Sequence, residues 1–432
     1  MKRIPDIELQ SKEDIISFQE NKLRELLQYL KSNSPFYKQH FASHKIEVDR
    51  ISGLRDLDKI PPITKDDFQQ RNWDFLCVAR NQIAEYTSTS GTLGKPVIVA
   101  LTHKDLGRLA YNECISFACA DGTPDDLYQL MVTLDRQFMA GIAYYEGVRT
   151  LGGGIVRVGP GLPAMQMETI QRLNPTVLVA VPSFIIKLIE FAEANKIDLN
   201  KTSVKKAVCI GEGLRTSELK LNALAQRITE SWNIKLYNTY ASTEMQTAFT
   251  ECKQGHGGHH HPELIIVEVL DDNNKQVKSG EPGEITITTL GVEGMPLLRY
   301  KTGDIASFYD EPCACGRNTI RLGPIVGRKQ QMIKLKGTTL YPPGVFDIIQ
   351  QVSHITDFVV EVFSNELGTD ELKLYLLAQE ADHAFVESSL QASFQSRLRV
   401  KPFIQFSNQQ EIEKIQFGGQ SRKVKKFIDN RK

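Results

Sequence analysis

The residues best suited to chemistry in this chain begin at 86–96, Tyr-Thr-Ser-Thr-Ser-Gly-Thr-Leu-Gly-Lys-Pro. Glycine lets a backbone approach an anion closely, while N–H groups, hydroxyls and an ammonium neutralise its charge. Thr87, Ser88, Thr89, Ser90, Gly91, Thr92, Gly94 and Lys95 therefore read as a cradle for a polyphosphate. The spacing is not that of a Walker A loop, which needs four residues between its first glycine and a Gly-Lys-Ser/Thr ending that opens a helix. Here Lys95 is followed by Pro96 and the apolar run Val97–Ala100, so the spacing predicts a strand after the loop. Taken alone, such a segment is equally an ordinary hairpin turn, and the rest of the chain has to decide.

A second group of reactive side chains has metal-ligand spacing. Cys313-Ala314-Cys315-Gly316-Arg317 sets two thiols one residue apart, and Cys252 precedes the histidines of His256-Gly257-Gly258-His259-His260-His261. Two such thiolates with a distant Cys/His pair can complete a tetrahedral zinc site of the Cys₃His type. With three cysteines and no open position, such a zinc pins loops together and activates no water. Cys77, Cys114, Cys119 and Cys209 sit singly in apolar surroundings and read as buried thiols.

These groups need a frame, and the chain is long enough to supply one. Its 432 residues exceed a usual single core, and 41% apolar with 24% charged residues is the composition of a globular protein. The 52 basic and 52 acidic residues cancel, which gives no global electrostatic reason for nucleic-acid or membrane binding, although 422–432 is locally basic. No run approaches the roughly 20 apolar residues that span a bilayer, and the first residues lack an apolar signal core, so a cytoplasmic protein is expected.

Residues 12–43 carry a helical pattern capped by Ser11, with Ser34-Pro35 ending the helix. From about 80 to 300, strand-like runs (98–100, 130–133, 155–158, 177–181, 207–210, 235–238) alternate with helical patterns such as Ser183–Asn195 and Thr216–Thr229. That alternation predicts an α/β fold with helix-covered sheets. Residues 263–327 shift to shorter strands with turn signals, suited to a small β-barrel-like subdomain. From 329 to 432 a small α+β domain is expected, joined to the 1–328 domain by a hinge.

Further motifs follow in one order: Gly211-Glu212-Gly213, Tyr240-Ala241-Ser242-Thr243-Glu244, Tyr300-Lys301-Thr302-Gly303-Asp304, Gly327-Arg328, and the basic C-terminal segment closing in Phe427-Ile428-Asp429-Asn430-Arg431-Lys432. Together with the loop at 86–96, the chain resembles over nearly its whole length the adenylate-forming superfamily of acyl-CoA synthetases, and within it the phenylacetate-CoA ligase family. The resemblance implies an ATP-dependent acid-CoA ligase that forms an acyl-AMP and then a thioester with CoA, releasing AMP and pyrophosphate.

Carried over residue by residue, the resemblance implies that Thr89–Lys95 hold the β- and γ-phosphates and that Glu244 binds Mg²⁺. Thr243 then meets the α-phosphate, and Asp304 with Arg328 meets the ribose. Gly211, Glu212 and Gly213, with Asn238, Thr239 and Tyr240, would flank adenine, continuing into Ala241 and Ser242. Lys423 would stabilise the adenylating transition state, although Arg422 replaces the usual preceding glycine and Lys425 and Lys426 lie nearby. Lys336 and Gly337 would lie along the pantetheine path. Phe138, Met139, Ala140, Gly141, Tyr144 and Ala241 would line the acid pocket. The family favours His259 as the fourth zinc ligand, with His256, His260 and His261 left open.

Two departures bear on these assignments. Ala241 stands where the family has glycine, adding a methyl group beside the acid pocket. Gln330 stands where an acidic hinge residue is usual, and a hinge does not require one residue type. The implied acid is phenylacetate or another aryl or arylacetic acid. Alternatives are a different acceptor, a carrier protein or a deazaflavin cofactor, or a non-catalytic, zinc-stabilised nucleotide-binding protein. Nothing in the sequence fixes the oligomeric state, and a homodimer stays open.

Overall fold

The computed structural model describes residues 4–89, 96–335, 338–364, 370–398, 400–417 and 424–431. The chain divides into two compact units between Ile325 and Val326, close to the 328/329 boundary expected from sequence.

The first unit starts with the helix Lys12–Asn33, whose cap Ser11 accepts from Asp14 N. Ser34 ends it and caps the next helix, Pro35–Ser43, with Pro35 in the first turn where its missing N–H costs nothing. Ile83–Ser88 and Ile98–Thr102 pair antiparallel, which supplies the strand expected after the phosphate loop.

The alternating region forms parallel strands in the order Gly154–Arg157, Leu127–Leu130, Val177–Ala180, Lys206–Cys209 and Lys235–Ser242. Val177, Leu178, Val179 and Ala180 are all fully buried, as parallel strands covered by helices require. The helices Met139–Leu151, Pro163–Leu173 and Pro182–Ala194 connect them. One expected helix is shorter than its pattern: Thr216–Thr229 is helical only from Ala223, capped by Asn222, and the helix runs to Ser231. Before it, Thr216–Leu221 turns back on itself around Leu219 at φ +64°, bridging Arg215 to Leu221.

The ladder then continues antiparallel from Lys235–Ser242 through Thr247–Glu251, Gly258–His259, Arg321–Leu322, Tyr300–Tyr309 and Pro282–Thr289 to Ile265–Leu270. The β-rich stretch is antiparallel, as its turn signals predict, and is continuous with the parallel strands. It curls enough for the Tyr240 hydroxyl to donate to Asp304 Oδ2 at 2.8 Å, although their strands are not neighbours in the ladder.

The second unit is α+β. Its strands run Phe403–Phe406, Asp370–Leu377, Asp357–Ser364, Phe427–Asn430, backed by Pro342–Gln350, His383–Leu398 and Gln409–Phe417. Val359, Val360, Val362, Leu374 and Leu376 are completely buried and form its own core. Among the described residues, no helix is long and apolar enough to cross a membrane.

Candidate functional site

The motif residues gather where strands end, the usual place for ligands in open α/β sheets. Thr87, Ser88 and Thr89 close the strand Ile83–Ser88 and are buried. Thr89 Oγ1 accepts from Val97 N at 3.0 Å, and Thr89 N donates to Val97 O, which fixes both stems of the loop. Ser88 N donates to Gln137 O, tying this stem to the segment before Phe138. Ser90, Gly91, Thr92, Gly94 and Lys95 lie outside the described residues, as do Lys336, Gly337 and Lys423.

Gly211 follows the strand Lys206–Cys209 at φ +76°, a conformation that suits glycine. The Glu212 carboxylate accepts from Ser183 N and Oγ, both at 2.9 Å, so it caps the helix Pro182–Ala194. Gly213 has open space where a side chain would project. Asn238 Oδ1 is buried without a partner, and a buried orphan acceptor of this kind can receive an amino group from a ligand. Thr239 Oγ1 pairs with Thr250 Oγ1 at 2.7 Å, and Ser242 Oγ accepts from Met245 N, shaping the turn that carries Thr243 and Glu244.

Glu244 is 8% exposed and meets two donors: Tyr300 Oη at 3.4 Å and the Lys65 ammonium at 3.5 Å. Lys65 begins the helix Lys65–Gln70, which a Thr64–Asp67 capping box opens. Ile63 bridges to Tyr300, so the helix start is anchored on the strand that opens with the Asp304 motif. Asp304 itself is 8% exposed, accepts from Tyr240, and follows Gly303 at φ +78°. Lys65 is the residue that motif reasoning missed. Its only signal is spatial, since nothing in its local sequence marks it.

Arg328 belongs to the second unit, where Gly327 presses on Tyr341; an added Cβ would lie 2.4 Å from the Tyr341 ring. Phe138 caps the helix Met139–Leu151, and Met139 and Tyr144 are buried on it. Gly141 packs on the backbone of Thr133, where a Cβ would stand 2.2 Å from the carbonyl oxygen. Ala241 pairs across the ladder with Ala248.

Away from these residues, Cys252, His259, Cys313 and Cys315 bring their ligand atoms within 4.8 Å of one another. Cys252 Sγ to Cys313 Sγ is 3.7 Å, and Cys315 Sγ to His259 Nε2 is 3.5 Å. A tetrahedron with metal–sulfur bonds of about 2.3 Å and metal–nitrogen bonds of about 2.0 Å has edges of about 3.8 and 3.5 Å, so the donor set fits zinc. Its hydrogen bond with Cys252 holds the Cys315 thiol well below the usual thiol range, so it offers a thiolate. The other histidines are engaged elsewhere. His260 Nε2 meets Ile265 O at 2.6 Å, His261 Nδ1 meets Glu8 at 2.6 Å, and His256 is exposed. Arg317 donates to Glu8 at 2.5 Å and to Cys315 Sγ at 3.5 Å, placing a cation beside the thiolates.

Comparison with known proteins gives the family and the fold. The family model described as AMP-binding enzyme matches residues 37–294. A phenylacetate-coenzyme A ligase of Thermus thermophilus is 29% identical over 381 residues, covering 87% of this chain and 84% of that protein. One from Escherichia coli is 24% identical, covering 94% and 92%. Among solved structures, a 2-hydroxyisobutyryl-CoA ligase in the postadenylation state with 2-HIB-AMP matches with a TM-score of 0.86 at 22% identity, over 99% of this chain and 93% of that one.

Proposed function

The chain belongs to the AMP-binding enzyme family, and from that premise we propose that it is an ATP-dependent acid-CoA ligase acting on phenylacetate or another aryl or arylacetic acid. The observation that carries this reading is the way the two motif carboxylates are held, Asp304 by Tyr240 and Glu244 by Tyr300 and Lys65.

In the first half-reaction a carboxylate oxygen of the acid attacks the α-phosphorus of ATP. The bond to the bridging oxygen breaks, and pyrophosphate leaves. Thr87–Lys95 cradle the leaving phosphates, and Thr243 donates to the α-phosphate. Glu244, held by Tyr300 and Lys65, takes the Mg²⁺ that enters with ATP, which supplies charge neutralisation on the phosphates. Asp304 accepts from the ribose hydroxyls with Arg328 as a second ribose contact, and Asn238–Tyr240 and Gly211–Gly213 flank adenine. Lys423 stabilises the charge that develops during attack. In the second half-reaction the CoA thiolate, entering along Lys336 and Gly337, attacks the acyl carbon and AMP departs.

Cys252, His259, Cys313 and Cys315 hold a structural zinc that ties the loop after Thr247–Glu251 to the loop after Tyr300–Tyr309. ATP, CoA and reduced thiols fit a cytoplasmic location.

The test is pyrophosphate and AMP release from Mg·ATP across a panel of aromatic and aliphatic acids, with and without CoA. Release of pyrophosphate with one class of acid, and of AMP only when CoA is added, is the expected result. Acid-dependent pyrophosphate release without CoA-dependent AMP release points to another acceptor, and no turnover with any acid overturns the ligase reading. Zinc content of the purified protein tests the metal assignment, with about one equivalent expected.

A further inference from the structure

The helix His103–Cys119 carries a carboxyl that the reaction described above does not use. Glu113 is only 5% exposed. It meets the helix Met139–Leu151 at Gly147, where an added Cβ would lie 2.3 Å from Glu113 Cβ. Only a glycine there lets the two helices approach closely enough to enclose the Glu113 side chain.

Its hydrogen bonding is asymmetric. Ala248 N donates to Asn112 Oδ1 at 3.1 Å, which orients the Asn112 amide so that its Nδ2 donates to Glu113 Oε1 at 3.0 Å. Glu113 Oε1 is thereby an acceptor, and Oε2 has no hydrogen-bond partner among the described residues. Burial pushes this carboxyl up to about 8, so at neutral pH it carries its proton, and Oε2 is the atom free to hold it.

The Tyr144 ring lies beside this group and edge-on to Phe117 at 5.9 Å. Tyr144 is 4% exposed, and its hydroxyl also has no hydrogen-bond partner among the described residues. In the turn before the strand Thr247–Glu251, Gln246 is 1% exposed and neither end of its amide has a partner among the described residues. Its backbone oxygen accepts from Arg108, one turn before Asn112 on the same helix. Buried polar groups left without partners are costly, and several together in one region call for a ligand that completes them.

The location specifies which ligand. Asn112 anchors Ala248, the cross-strand partner of Ala241, and Tyr144 is one turn beyond Ala140. Glu113 therefore lies behind the residues assigned to the acid pocket, deeper than the motif residues that meet the phosphates. We propose that Glu113 and Tyr144 form the floor of that pocket and select a carboxylic acid that bears a hydroxyl or amino group far from its reacting carboxylate. Glu113 Oε2 keeps its proton and donates a hydrogen bond to the oxygen of a hydroxyl or to the nitrogen of an amino group. The Tyr144 hydroxyl supplies the second contact.

This inference rests on the ligase reading, and its test separates the two. Three non-hydrolysable acyl-sulfamoyladenosines serve as probes: phenylacetyl, para-hydroxyphenylacetyl and para-aminophenylacetyl. Affinities are measured calorimetrically for the wild type, Glu113→Leu and Glu113→Gln, with thermal midpoints as a check on folding. The wild type should bind at least one substituted probe about tenfold more tightly than the phenylacetyl probe. Glu113→Leu should bring the three affinities within about twofold of one another. Glu113→Gln, which still donates a hydrogen bond, should retain the preference for a substituted probe. Equal affinities for the three probes in the wild type, or an equal loss for all three in Glu113→Leu, overturns the inference and leaves the ligase reading intact. Failure of all three to bind the wild type overturns the ligase reading and the inference with it.

Discussion

One helix, His103–Cys119, borders two buried polar regions that are built on opposite plans. Near its C-terminal end, Ser116 Oγ meets His261 Nε2 at 3.4 Å, and Cys119 packs with Cys252, Cys313 and Cys315. There Glu8, fully buried, is held by both His261 and Arg317, and each histidine of the 259–261 run has a protein partner. About one turn before Ser116, Glu113, with Tyr144 and Gln246, is nearly as buried, but these residues keep polar atoms without partners among the described residues. The difference separates a closed network, which can only hold structure, from an open one, which is complete only with a ligand. Burial alone would have ranked them together; what distinguishes them is whether the hydrogen bonds close.

The comparison breaks most readily at Glu8. Glu8→Gln leaves the Arg317 guanidinium buried without its counter-charge and disturbs the contact with His261, and the expected cost is about 3–5 kcal/mol of unfolding free energy. Chemical denaturation at pH 7 measures it, and kcat of the protein that remains folded should stay within about twofold of wild type. A stability change below about 1 kcal/mol would show that the closed corner does not hold the fold. Glu244→Gln should do the reverse: about a hundredfold lower acid-dependent pyrophosphate release, with an unchanged denaturation midpoint, because Glu244 faces Lys65 and Tyr300 at an open strand end. Asp304→Asn ranks below it. Weakening a charge-assisted acceptor for ribose should raise KM for ATP about tenfold and leave KM for the acid alone, which steady-state kinetics resolves.

What could be read from the sequence follows the same division. The Cys/His cluster was legible because spacing constrains it, and the structure selects His259 because His260 and His261 are turned to Ile265 and Glu8. The alternation of strands and helices was legible from periodic burial, down to Val177–Ala180. Thr216–Leu221 was misread because a left-handed Leu219 breaks a pattern whose apolar spacing still looked helical. Lys65 and Glu113 were invisible for a different reason. Lys65 acquires meaning only through the Ile63–Tyr300 bridge, and Glu113 only through the close approach at Gly147. Both are products of tertiary packing between segments far apart in the chain.

The finest test of the contrast is titration of Glu113 itself. Its carboxyl stands near pH 8 in the folded protein against an ordinary value of 4.5, with burial as the cause and Tyr144 as the neighbouring titratable group. A raised carboxyl pKa means that the unfolded chain ionises first. The folded state is therefore not penalised by this group below about pH 4.5 and loses stability as pH rises from there toward 8. Glu113→Gln keeps the shape and removes the titration. Between pH 5 and 7 the wild type should lose stability relative to the variant by about 1 kcal/mol per pH unit, read from paired denaturation curves. Glu8 offers the internal contrast, because its contacts with His261 and Arg317 hold its carboxyl below the ordinary value despite burial. A wild type that tracks Glu113→Gln across this range would mean that the carboxyl is already ionised and paired, and the open region would then be closed after all.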